Sequence, residues 1–375
     1  MDDKKYWLIV RTGEAEIRAV KNSSKDILSK VIPIIEITRG RKITKDKVVS
    51  YPFQKRLDKL KSAFAGQTVV IDVTSDDALS SYETDLLYSP EEGYCKWIEF
   101  LLKIKEEQIF SEIIPSILIN FNDDKFEENL RKQIDSLQRH FNSVLYRCDI
   151  TDENCYDDLV ILRNVLERAN LNLLIDCGYT PQASYHNFSD KCIARISNLK
   201  SLLSDICVKY IVAATSFPNN VRDLSDSDSD VFSISEIDIH ELVMARHDDV
   251  VYADYASINP IRNDTIKMSR GWIPRIDVPL HRLIFYYKQR RPKGVTAYAE
   301  TYTNVAKRVC LDERFPYELK NNWGVSQIIS CSKGAAPSSS PSFWISVRMN
   351  IHIEQQVRRL YSMRSGEDSI FKSST

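Results

Sequence analysis

Glycine is scarce in this 375-residue chain, with only ten. None stands in a GxGxxG turn or a GxxxxGK[ST] loop, so the sequence offers neither a dinucleotide-binding turn nor a P-loop. No apolar run approaches the ~20 residues of a membrane helix. The opening MDDKKYWLIVRTGE returns to charge too soon for a secretory leader. Without a secretory context, the sequons at Asn22, Asn187 and Asn263 carry no meaning. The chain also lacks an excess of one charge: 51 Lys and Arg face 52 Asp and Glu. No global field therefore recruits nucleic acid or an anionic membrane, and such binding would rest on local patches. Eight cysteines form no CxxC pair and sit mostly inside apolar runs, as expected of reduced, structural thiols in a cytoplasmic protein. Six histidines without HExxH or paired spacing argue against zinc.

What the chain does have is repetition. Short β-branched apolar segments, each ending on a polar side chain, recur at 6–11, 32–37, 68–74, 113–120, 143–149, 172–177, 209–216 and 250–256. Helix-patterned stretches separate them, such as the one that places Leu130, Ile134 and Leu137 on one face. Parallel strands need crossovers of this length, and a count of eight predicts an α/β fold, a TIM-like (β/α)8 barrel over residues 1–259. With 43% hydrophobic residues, the chain is long enough to bury that core and carry an appendage. Residues 260–375 change texture and predict a carboxy-terminal α+β extension. It would contain the strand RLIFYYK at 282–288, a helix over 295–311, and two strand-like runs, VSQIIS and FWISVRM, around the loop GAAPSSSPS. The tail after 364 is expected to fray.

Several of these segments occur in a meaningful order: a strand followed by Gly13-Glu14 and Ala19-Val20, IPIIEI, LLIDCG, ATSFP and ADY. The chain closes with Trp323-Gly324, a Cys331 segment, a small-residue loop, Trp344 and Met349-Asn350-Ile351-His352. In that order they resemble the beta family proteins, which are associated with phages and prophages. The resemblance spans nearly the whole chain and departs from the family in the acidic insertion after the seventh strand. It implies a barrel-like domain found in mobile elements and bacterial defence neighbourhoods, and it brings no defined reaction.

Active sites of such barrels lie where the strands end. The polar residues there are Arg11, Glu36, Asp72, Asn120, Arg147, Asp176, Ser216 and Asp254. Burying four carboxylates with two arginines is costly unless they bind a cation, share protons or pair. The plainer alternative is that strands end in polar residues because they emerge into solvent. Within a site, Asp72, Asp176 and Asp254 have oxygen chemistry suited to Mg²⁺ or Mn²⁺. Glu36 would serve as base, with Arg11 and Arg147 stabilising developing charge. Tyr255, Asn120 and Ser216 would contact the ligand.

Two basic stretches suit phosphate: Arg39, Arg41, Lys42, Lys45 and Lys47 after the second strand, and Lys288, Arg290, Arg291 and Lys293 after Tyr286-Tyr287. The acidic run DLSDSDSD at 223–230 fails the calcium-loop test, having Val231 where glycine is required. Asn350 and His352 are expected on one strand face, available to a ligand.

The expected role is a recognition or effector component of an anti-phage or prophage system. Its partner would be a protein of that system or a nucleic acid or nucleotide, and no membrane is involved. The alternatives are a metal-dependent phosphodiesterase, nuclease or nucleotide hydrolase, or a metal-free hydrolase using a carboxylate pair.

Overall fold

The computed structural model describes residues 4–219, 227–261 and 271–362. Eight parallel strands form its centre: β1 (Tyr6–Arg11), β2 (Val31–Ile37), β3 (Thr68–Val73), β4 (Glu112–Pro115), β5 (Ser143–Asp149), β6 (Asn170–Tyr179), β7 (Val208–Thr215) and β8 (Val251–Asp254). They pair in the order β4-β3-β2-β1-β8-β7-β6-β5. The sheet closes through a parallel bridge between Ser116 and Leu145, where the Ile117 amide donates to the Leu145 carbonyl at 2.8 Å. This is the strand order of a (β/α)8-like barrel, with helices filling the crossovers.

The strands are buried on both faces, so parity alone decides which side chains fill the lumen. One set contains Trp7, Ile9, Ile32, Ile34, Val70, Ile114, Leu145, Leu174, Ile211, Ala213, Ala253 and Tyr255 and forms its own cluster inside the barrel. Their neighbours Tyr6, Leu8, Val10, Val69, Ile71, Leu173, Ile175 and Tyr252 belong to the larger cluster beneath the helices. Stepping two residues beyond an inward position therefore reaches the next inward position. Arg11 follows Ile9 in this way, and Glu36, Asp72, Arg147 and Asp176 follow Ile34, Val70, Leu145 and Leu174.

The fourth strand is shorter than its apolar run. After Pro115 and the closing bridge, Leu118 exchanges two hydrogen bonds with the buried Gln133 side chain, at 2.7 and 2.9 Å, in place of a ladder. Residues 116–120 thus leave the sheet, and Asn120 lies in the loop beyond it.

The carboxy-terminal part adds an antiparallel sheet in which Leu283–Lys288 pairs with both Arg275–Pro279 and Ser229–Ser233. The third strand comes from the connection after β7, so this sheet is rooted at the mouth end of the barrel. The runs VSQIIS and FWISVRM are helical and not strand-like; they lie in Trp323–Ser332 and Pro341–Ser362. The second helix is buried at every position from Ser346 to Ile353, so it shows no one-sided apolar stripe, and its short runs mimic a strand. It packs on Glu14–Lys21 and reaches β1. The tail after 364 and residues 223–226 of the acidic run lie outside the described residues. No helix among the described residues is long and apolar enough to cross a membrane.

Candidate functional site at the barrel mouth

The inward parity places Arg11, Glu36 and Asp72 side by side, since β1, β2 and β3 pair Arg11 with Glu36 and Glu36 with Asp72. Two adjacent buried acids need cations. Arg11 supplies one by donating its Nε to Glu36 at 3.1 Å. Arg147, from the far side of the lumen, supplies the other. Its guanidinium donates to Glu36 at 3.1 Å, to Asp72 at 2.9 Å, to Asp176 at 2.9 Å and to the Tyr255 hydroxyl at 3.0 Å. Tyr255 in turn donates to Asp176 at 2.5 Å.

Burial pushes the Glu36 carboxyl up, but Arg11 and Arg147 outweigh it and hold the group below its ordinary range. Asp72 ends above its ordinary value, because burial and the neighbouring Glu36 charge exceed the pull of Arg147. Burial would discharge Arg147, yet Tyr255 and the three carboxylates hold its proton far more firmly than usual. Burial and the Asp176 charge likewise keep Tyr255 protonated well beyond its usual range. Every carboxylate of the centre thus touches a guanidinium, with two arginines serving three acids. Arg147, Arg11 and Asp176 keep 23%, 14% and 12% of their side chains exposed, so its edge faces the mouth.

This geometry separates the sequence candidates. Arg11, Glu36, Asp72, Arg147, Asp176 and Tyr255 converge. Asp254 does not join them: it shares the outward parity of Tyr252, one residue off the lumen set. There it accepts from Tyr6 at 2.6 Å, Tyr252 at 2.9 Å, the Ala256 amide at 2.8 Å and His352 at 2.6 Å. Asp72, Asp176 and Asp254 therefore do not form one metal cage, and no group of three or more His, Cys, Asp or Glu among the described residues is arranged to hold a metal ion. Arg147 occupies the position between Asp72 and Asp176 where a cation would bind.

Asn350 and His352 lie two residues apart on a helix, roughly 200° around its axis and not on one strand face. Asn350 staples the fold, donating to Ala19 and Ser23 at 3.0 Å each and accepting from Gly324 at 2.9 Å. It also borders a surface cavity of about 170 Å³. His352 completes a fully buried Ser257–His352–Asp254 chain with 2.6 Å contacts. Ala256 and Ser257 adopt left-handed backbone there, with φ of 48° and 61°.

Ser216 faces this outer layer, its amide bonded to Glu236 at 2.9 Å. Asn120 bonds locally, accepting from Asn122. Arg39 lies over Tyr51, and Arg41 is exposed at the foot of a hairpin, Ile43–Lys45 with Val48–Ser50. That hairpin projects with Ile43, Val48 and Val49 exposed by 49%, 68% and 47%. Asp46 and Lys47 take positive φ at its tip, as a two-residue turn requires.

Sequence reading missed Ser116, Thr74 and Glu236. Parity could have found the first two, which lie two residues past Ile114 and Asp72. Thr74 hydrogen-bonds Glu36, and Ser116 helps to lower Asp72. Glu236, buried behind the mouth, is raised to about 7 by burial and the Asp254 charge. No local sequence signal marks it.

The family model described as Beta protein matches residues 6–358. "Protein beta" of Enterobacteria phage P4 is 27% identical over 367 residues, covering 97% of this chain and 96% of the phage protein. No solved structure matches. The barrel, the outer staples and all but the last turn of the closing helix fall within the matched span, and the chain belongs to the beta protein family of phage-associated proteins.

Proposed function

We propose that the protein is the recognition component of a phage-borne or anti-phage system, binding a polar group of its partner at the barrel mouth. The observation that carries this reading is the position of Arg147: its guanidinium contacts Glu36, Asp72 and Asp176 at once, so the place between the three carboxylates is already taken by a fixed cation and the centre is preorganised. Arg11 commits only its Nε to the ring, to Glu36, which leaves its terminal nitrogens to meet a partner's carboxylate or phosphate. The exposed hairpin, with Arg41, Lys42, Lys45 and Lys47 around three uncovered apolar residues, is the adjoining contact surface. An isolated two-stranded hairpin gains little stability of its own in water, which favours a binding role for it.

The test is the efficiency of plating of a phage panel on cells carrying the gene with its natural neighbours. Arg11→Lys, which keeps a cation beside Glu36 but loses the forked terminal nitrogens, and Lys42→Glu with Lys45→Glu should each change the phenotype while the purified variants stay folded. An unchanged phenotype in both would reject the mouth as the recognition surface. The competing reading, a metal-dependent phosphodiesterase, nuclease or nucleotide hydrolase, is checked on a bis-aryl phosphodiester, a nucleoside triphosphate and single-stranded DNA with Mg²⁺ or Mn²⁺. Turnover abolished by Asp176→Asn would replace the recognition reading with that one.

A further inference from the structure

At the carboxyl end of β5, on the helix-facing side of the strand and turned away from the lumen, two thiols share one buried guanidinium. Cys148 comes from β5, Cys155 is the first residue of the helix Cys155–Val165, and Arg195 comes from the helix Tyr185–Leu202. Arg195 Nη1 lies 3.2 Å from Cys148 Sγ and 2.6 Å from Cys155 Sγ. The same guanidinium is fixed by the carbonyls of Asp152 at 2.8 Å and Ile150 at 3.2 Å, by Glu153 at 2.9 Å, and by the Tyr156 ring beneath it. An arginine this constrained provides a permanent positive charge beside two sulfurs. The positive end of the helix dipole adds to it at Cys155. Cys148 and Cys155 are themselves buried, at 1% and 0% exposure, and the Glu153 carboxylate on the same guanidinium is 79% exposed.

We propose that Cys155 and Cys148 are a peroxide-responsive dithiol, in which Cys155 is the attacking thiolate and Cys148 the resolving thiol. The two sulfurs are polarised in opposite directions. The Cys148 S–H donates to the Asp149 carbonyl at 3.4 Å. The neighbouring Cys148 sulfur and the Arg195 charge hold Cys155 below the ordinary thiol range, while the Cys155 sulfur and burial push Cys148 far above it.

Attack of the Cys155 thiolate on hydrogen peroxide breaks the O–O bond, whose electron pair leaves with the departing oxygen as hydroxide. Cys155 becomes a sulfenic acid. The hydroxide takes the Cys148 proton, the Cys148 sulfur attacks the sulfenyl sulfur, and the S–O bond breaks. With a proton from solvent the leaving group departs as water. In sum, two thiols lose two electrons and two protons to form one disulfide, and one peroxide becomes two waters.

The fold contains its own comparison. Cys177 and Cys192 place their sulfurs 3.3 Å apart with no arginine or lysine hydrogen-bonded to either among the described residues. Cys207 is exposed and serves as the accessible reference thiol.

The experiment treats the full-length reduced protein with equimolar hydrogen peroxide at pH 7 and maps the thiols by mass spectrometry without reduction. A Cys148–Cys155 disulfide reversible by dithiothreitol is expected. It should form roughly tenfold faster than Cys207 is oxidised. Cys148→Ser should trap a sulfenic acid on Cys155 that dimedone labels, and Cys155→Ser should leave Cys148 reduced. Arg195→Lys, which keeps the charge should Arg195→Met fail to fold, should slow the reaction without abolishing it. Oxidation of Cys177 and Cys192 in preference, or of Cys155 no faster than Cys207, would overturn the proposal.

Discussion

Replacing Arg147 by methionine removes the one side chain that contacts three buried carboxylates. Methionine fills much of the space but leaves Glu36 with Arg11 alone and Asp72 and Asp176 with no cation. Removing one partner of a buried ion pair costs about 3–5 kcal/mol, because the remaining charge stays desolvated. The loss should appear in urea denaturation at pH 7 as a lower midpoint with an unchanged slope, and as a melting temperature roughly 4–6 °C lower. The sign of the pH dependence follows from the same network. In the native protein Glu36 sits below its ordinary value, so its stabilisation is present above the unfolded carboxylate range and is lost as pH falls through its lowered value. Without Arg147 only the part of that lowering due to Arg11 remains, and burial raises Asp72 further. The variant then carries a penalty at neutral pH that fades on acidification, as the folded state takes up protons. The difference between variant and native protein should fall by more than about half between pH 7 and pH 4.5. Adding Asp72→Asn to the variant should recover part of the loss. A difference below about 1 kcal/mol that does not vary with pH would show that the ring is not the charge network described.

The vacated centre makes a second test possible. Millimolar Mn²⁺ should raise the melting temperature of Arg147→Met, whose carboxylates then face a cation-sized gap, and leave the native protein unchanged; the reverse pattern in a thermal scan would contradict the placement of Arg147. Tyr255→Phe removes the donor to Asp176 and the acceptor for Arg147, and is expected to cost about 1–3 kcal/mol in chemical denaturation. Glu236, raised to about 7, stabilises the fold when protonated, so this contribution is present below pH 4.5 and is lost as pH rises through 7. Glu236→Gln should flatten the stability curve between those values, and an unaltered slope would count against its buried ionisation. Asn350→Ala breaks the staple to Ala19, Ser23 and Gly324; it should cost about 1–3 kcal/mol and expose the first helix to faster amide exchange.

Composition and local pattern by themselves determined the barrel. Eight β-branched segments separated by helical crossovers admit few parallel arrangements, and the polar residue ending most segments lies two steps past an inward apolar one. Arg11, Glu36, Asp72, Arg147 and Asp176 were legible for that reason. Where one residue of parity mattered, the linear chain was ambiguous. Tyr255 and Asp254 are adjacent in sequence, and only the register of β8 against β1 and β7 decided that the tyrosine faces the lumen and the aspartate faces His352. The closing helix was hidden for a related reason: burial on all sides erases the one-sided stripe by which a helix is read. The position of Arg147 between three carboxylates belongs wholly to the tertiary structure, because it depends on strands more than a hundred residues apart closing into one ring.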